Sequence, residues 1–193
     1  MREVVVRATR AGSVGLLALA VLSGLVGCDG GGRPAAGPSP TVRSRAAVPA
    51  FEAGGACQLI DYAAVQQTLG VGFAVAAAAQ QGETFTCVIQ QRGASLPDLT
   101  LSVTATTADE KVFQSVLVPA GAAAVTGLGK AAYGRPIAAA AAIGAGYEVG
   151  WLAGNRRLLV LRVRLETAAT VDQAAAMGPK LVELAKSIDF TSS

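Results

Sequence analysis

The sequence predicts an α+β domain: a mainly antiparallel sheet, helices packed on one face, and one intradomain disulfide. Three observations carry this. Several short runs alternate apolar and polar residues with period two. Segments of helical period lie before, between and after them. Short loops join neighbouring alternating runs, which favours antiparallel pairing and a layered sheet-and-helix arrangement.

The elements follow in order. Asp61 is placed to cap a short helix through Ala64, Val65 and Leu69, stopped by Gly70. Phe85, Cys87 and Ile89 then alternate against Thr84, Thr86 and Val88, a strand with Cys87 on its more apolar side. Leu99, Leu101 and Val103 alternate against Thr100, Ser102 and Thr104, a half-buried strand with one wet face. Thr107-Ala108-Asp109-Glu110 reads as a capping box, opening a helix through Val112, Phe113 and Val116. Tyr147, Val149 and Trp151 share one face of a later strand, and Gly154-Asn155 marks a hairpin turn. The returning strand sets Leu159, Leu161, Val163 and Leu165 against Val160, Arg162 and Arg164. A last helix places Met177, Leu181, Leu184, Ala185 and Ile188 on one face, opposite Lys180, Glu183 and Lys186. Gly178-Pro179 either kinks that helix or opens a shorter one. Alanine runs at 76–79, 122–124 and 138–142 carry little register information.

Composition narrows the function. The 193 residues include no histidine, with 16 basic and 13 acidic residues, 52% hydrophobic residues and only 15% charged ones. The low charge excludes a disordered chain. The absence of histidine excludes Ser-His-Asp and Cys-His catalysis and His-ligated zinc. Length fits one domain with appendages.

The N-terminus reads as an address. Arg2, Arg7 and Arg10 precede 17 uncharged residues, Ala11 to Gly27, which end in Leu25-Val26-Gly27-Cys28. A basic start, an apolar run and small or aliphatic residues before a cysteine form a lipoprotein signal peptide over residues 1–27. The thiol of Cys28 is then the lipidation site: it accepts a diacylglyceryl group, with acyl chains of the palmitate type. An uncleaved anchor is the alternative, but the run falls short of the ~20 residues that span a bilayer. Each buried methylene adds about 0.8 kcal/mol, so two or three chains hold firmly where one is marginal. Cleavage removes Arg2, Arg7, Arg10 and Glu3, leaving 13 basic and 12 acidic residues, net +1. That balance gives no support for a nucleic-acid partner.

Residues 28–50 form the lipidated cysteine and a flexible tether. Four of the chain's eight prolines lie here, with four glycines and no large apolar residue. A flexible chain of this length has an r.m.s. span of about 25 Å. The globular part is then 51–193. Its only cysteines are Cys57 and Cys87. In an exported protein an even pair is read as a disulfide, the alternative being two buried free thiols. Closing that loop contributes roughly 3–4 kcal/mol in chain-entropy terms.

Candidate chemistry is sparse. Gly127-Leu128-Gly129-Lys130 lacks the first glycine and the final Ser or Thr of a phosphate loop and reads as a turn between strands. Arg156, Arg157, Arg162 and Arg164 form the densest basic cluster. It is read as a solvated strand face that discourages edge pairing, with an anionic partner or lipid headgroup as the alternative. Tyr62, Tyr133, Tyr147 and Trp151 are read as core rather than as a ligand cleft. Two cysteines without histidine make no metal site. No catalytic, cofactor-binding or metal-binding residue is assigned, and no enzymatic activity is expected.

The lipobox LVGC, the tether, Ala56-Cys57-Gln58-Leu59-Ile60 before a helix ending Leu69-Gly70, Thr86-Cys87-Val88, and Gly127-Leu128-Gly129-Lys130-Ala131-Ala132-Tyr133 together resemble a largely uncharacterised family of actinobacterial cell-envelope lipoproteins. Where that family often has an acid, this chain has Lys130. The resemblance implies an extracytoplasmic α+β domain with one disulfide and implies no known activity. A looser likeness runs to extracellular sensor domains of actinobacterial receptor kinases.

The expected function is a binding or accessory module of the cell envelope, lipid-anchored on the outer face of the cytoplasmic membrane. Its partners would be the membrane, through the anchor, and a protein or small-molecule ligand. A carrier of an apolar ligand such as a lipid is the alternative, and an envelope enzyme of unrecognised type the second.

Overall fold

A computed structural model describes residues 47–192. The signal segment 1–27, Cys28 and the tether as far as residue 46 lie outside the described residues. The chain enters through two 3-10 turns, Ala50–Ala53 and Gly55–Leu59. Ala50, the last residue of the segment read as a tether, is buried in the first of them. Helix α1 spans Tyr62–Leu69; the Asp61 carboxylate accepts from the Ala63 amide at 2.7 Å, and Gly70 ends the helix in the left-handed region at φ 76°.

Seven strands follow: β1 (Val75–Gln81), β2 (Thr84–Gln90), β3 (Asp98–Ala105), β4 (Ala123–Val125), β5 (Ala131–Ile137), β6 (Gly146–Leu152) and β7 (Arg157–Arg164). They form one sheet in the order β1-β2-β3-β7-β6-β5-β4, antiparallel throughout. Two meanders, β1 to β3 and β4 to β7, therefore meet where β3 pairs with β7. The sequence reading did not place β1, β4 or β5. Two of them are the alanine runs, where pairing to a neighbour rather than side-chain propensity makes the strand.

One face of the sheet is dry. Cys87, Ile89, Leu99, Leu101, Val103, Val149, Trp151, Leu159, Leu161 and Val163 are buried there, under the second 3-10 turn and the last helix. The Cys57–Cys87 disulfide, with Cα atoms 4.9 Å apart, ties the second 3-10 turn to β2. The C-terminal helical segment is broken in two. Helix α3 (Val171–Ala176) carries a capping box between Thr170 and Gln173, and α4 (Gly178–Ser192) restarts after Met177 with Pro179 in its first turn. Leu181, Leu184, Ala185 and Ile188 of α4 are buried.

The opposite face is largely open. Thr84 and Thr104 meet across β2 and β3 at 2.9 Å, and Thr86 meets Ser102 at 3.4 Å. Among the described residues, the short segment between the meanders packs against this side through Phe113. Its helix α2 (Glu110–Val112) starts later than the sequence suggests, because the N-cap is Asp109, whose carboxylate accepts from the Val112 amide at 2.8 Å. It passes directly into a π turn, Phe113–Leu117. That phase change buries Phe113 and leaves Val116 71% exposed, so the expected Val112-Phe113-Val116 stripe does not form. Phe113 packs with Tyr133 and Leu152 in a small second cluster.

Candidate functional site

The four arginines singled out in the sequence separate into two places. Strand β7 lies in the middle of the sheet, between β3 and β6, so Arg162 and Arg164 do not guard an edge. They project from the open face. Arg156 and Arg157 sit at the β6–β7 hairpin, at one end of the sheet.

Arg162 belongs to a network around Glu148, an acid that the sequence reading did not single out. Hairpin register sets Glu148 directly opposite Arg162 on one side and Arg135 on the other. Glu148 is only 2% exposed. Its Oε1 accepts from Arg135 Nε at 3.1 Å and from the Tyr133 hydroxyl at 3.1 Å. Its Oε2 accepts from Arg162 Nε at 2.9 Å and also from Nη2. Gly150 makes this possible: a Cβ there would lie 2.4 Å from the Tyr133 ring, which crosses β6 at that point to reach the carboxylate. A glycine two residues after a strand acid, with an arginine opposite in the hairpin, is the signal that would have identified the cluster.

The electrostatics follow from the contacts. Burial pushes Glu148 up, but the hydrogen bonds and charge of Arg162, then of Arg135, outweigh it and hold the carboxyl below its ordinary range. Tyr133 is pushed up to about 12, by burial first and then by the adjacent Glu148 charge and hydrogen bond. Neither group changes protonation near neutrality, so the cluster holds no acid–base pair suited to that range. It fixes two guanidinium groups and joins three strands. Arg164 donates instead to the Ala138 and Gly144 carbonyls.

The second place is a cleft at the end of the sheet, between β2, β3 and the second 3-10 turn. One part, of about 380 Å³, is lined by Ala56, Leu59, Phe85 and Val103 among apolar residues, with Glu83 and Arg157 at its margin. Phe85 lies opposite Val103 in the sheet and is 38% exposed. A contiguous depression adds Thr106, Thr107, Asn155 and Arg156, and shares Glu83, Ala105 and Arg157 with the first. The disulfide fixes one wall, since Cys57 follows Ala56 and Cys87 lies two residues from Phe85. Arg156 is left-handed at φ 61°, where the hairpin turn would take a glycine without strain. Its carbonyl accepts from the Thr106 amide at 2.9 Å.

The other sequence candidates settle elsewhere. Gly127 and Gly129 are left-handed and turn the chain between β4 and β5; a Cβ on Gly129 would come 2.5 Å from the Leu152 carbonyl oxygen. Trp151 is buried and donates to Asp189 at 2.9 Å. Tyr62, Tyr133, Tyr147 and Trp151 do not line the end cleft. Among the described residues no group of three or more Cys, Asp and Glu is placed to hold a metal, and no helix is long and apolar enough to cross a membrane. No family model matches the chain, and no curated protein or solved structure matches it either.

Proposed function

We propose that this protein is a membrane-anchored extracytoplasmic lipoprotein whose disulfide-braced domain serves as a binding module, not an enzyme. The Cys28 lipobox supports the anchor, and the tether supplies the reach. One observation carries the binding role: the end cleft sets an apolar floor around Phe85 and Val103 beside a polar rim with Arg156 and Arg157. A few polar groups at the mouth of an apolar recess are what ligand recognition needs, and its volume lies within the ~300–1,000 Å³ range of ligand pockets. The same apolar floor favours the second reading, a carrier of an apolar ligand.

Intact mass of the protein made by its own host tests the anchor. The expected mass lacks residues 1–27 and carries a diacylglyceryl group on Cys28. A chain retaining Met1 without fatty modification overturns the anchor. Proximity labelling from the intact cell surface tests the extracytoplasmic placement, with surface neighbours expected and exclusively cytoplasmic ones overturning it.

A further inference from the structure

Resting on that reading, we propose that the end cleft takes a single-chain amphiphile with a negatively charged head. The two contiguous depressions differ in chemistry. One offers Leu59, Phe85 and Val103 to a hydrocarbon stem. The other offers Thr106, Thr107, Asn155 and the two arginines to a head. They meet at Glu83, Ala105 and Arg157, so one ligand can lie across both.

Charge sets the sign of the head. Arg156 and Arg157 face one acid, Glu83, in the two linings. A guanidinium fork matches a carboxylate or phosphate oxygen pair and does not fit a cationic head. Arg156 adds to this, because an arginine rather than a glycine occupies the left-handed turn position and puts its side chain at the mouth. The stem end is apolar because Phe85, near the start of β2, pairs with Val103 near the end of β3 and is itself 38% exposed. An exposed phenylalanine opposite an apolar neighbour gains by being covered, in proportion to the apolar area removed from water.

The test uses the full processed chain in phosphatidylcholine nanodiscs, with a long-chain fatty acid bearing a chain diazirine as probe and its methyl ester as the uncharged control. Photolysis and peptide mapping should concentrate the acid's label on the segments around Leu59, Phe85 and Val103. Phe85→Glu should cut that labelling about tenfold or more. Arg156→Gln with Arg157→Gln should cut labelling by the acid several-fold and leave labelling by the ester unchanged. Arg156 and Arg157 are solvent-exposed, and an unchanged urea-unfolding midpoint in each variant reports an intact fold. Label spread along the chain, or equal labelling by acid and ester in the wild type, overturns the proposal. So does the absence of labelling by the acid. Those outcomes leave the intact mass unchanged, so they are distinguishable from a failure of the lipoprotein reading.

Discussion

The two faces of strands β6 and β7 solve the same burial problem differently. On the dry face Val149, Trp151, Leu159, Leu161 and Val163 are covered by helices and held by apolar contact. On the other face, at the same strands, Glu148 is as deeply buried as its apolar neighbours, yet its cover is Arg135, Arg162 and Tyr133. Apolar burial tolerates small errors of position and stabilises in proportion to area. A buried carboxylate is tolerable only if every partner is in place. The first face therefore stabilises by area, whereas the second does so only when register brings Arg135 and Arg162 opposite Glu148.

The largest expected effect lies on the dry face. Trp151→Ala leaves a cavity under α4 and removes the bond to Asp189, and should cost about 4 kcal/mol in urea unfolding. Phe113→Ala, on the opposite face, should cost about half as much, because its small cluster can close over the gap. Equal losses would show that the second cluster is as rigid as the main core. Replacing both Cys57 and Cys87 by Ser should cost roughly 3–4 kcal/mol by freeing a loop with a separation of 30 residues.

Glu148→Gln probes the polar face and should cost about 3 kcal/mol near neutral pH, since it leaves two arginines without their shared carboxylate. That figure is held to the lower end because the arginine side chains are 32% and 41% exposed. The pH dependence gives a sharper reading. Glu148 has its carboxyl depressed in the fold, so its stabilisation is complete above the ordinary glutamate range of about 4.3. It is lost as pH falls through the lower folded value. The wild type should thus lose stability down this acid limb faster than Glu148→Gln, and the two curves should converge. Asp98 works in the opposite sense: burial raises its carboxyl against the pull of Arg164 and then Arg162. Its ionisation therefore lowers stability as pH rises from the ordinary aspartate value to the folded one. Parallel curves for wild type and Glu148→Gln would show that the carboxylate contributes no charge-dependent stability.

The contrast between the faces also explains what could be read in advance. Strict alternation at Leu99-Leu101-Val103 and Leu159-Leu161-Val163 fixes which side chains point inward, so these strands, their helical cover and the cysteine pair were legible. The alanines of β1 and β4 have no such alternation, since all their side chains are alike, and only pairing reveals them as strands. Glu148 was missed because a single acid in a strand has no local pattern. Its meaning lies in hairpin register, which places Arg162 opposite, and in Gly150, which admits the Tyr133 ring. The end cleft was missed for a related reason. Leu59, Phe85, Val103 and Arg157 come from four separate segments, and only the sheet order joins them.

A smaller effect belongs to Tyr133→Phe. The ring keeps its place over Gly150 and beside Phe113, while one donor to Glu148 is lost. A hydrogen bond to a charged group contributes about 1.5–3 kcal/mol, and the lower figure applies here because three arginine bonds remain on the carboxylate. Loss of that donor should also raise the acid limb towards higher pH, since one group stabilising the ionised Glu148 has gone. A destabilised variant with an unmoved acid limb would mean that the hydroxyl serves packing alone.

The smallest effect tests a local signal on the dry side. Asp61 caps α1 through the Ala63 amide from an exposed position. Asp61→Ala should cost about 1 kcal/mol, and Asp61→Asn or Asp61→Ser should restore most of it, because each offers an oxygen to the same amide. Helix α1 packs on α4, and Val65 and Leu69 are buried between them and the sheet. The loss should therefore appear in global unfolding, not as local fraying of α1. If hydrogen exchange instead shows α1 opening alone while the sheet stays protected, the helical cover and the sheet beneath it do not unfold as one unit.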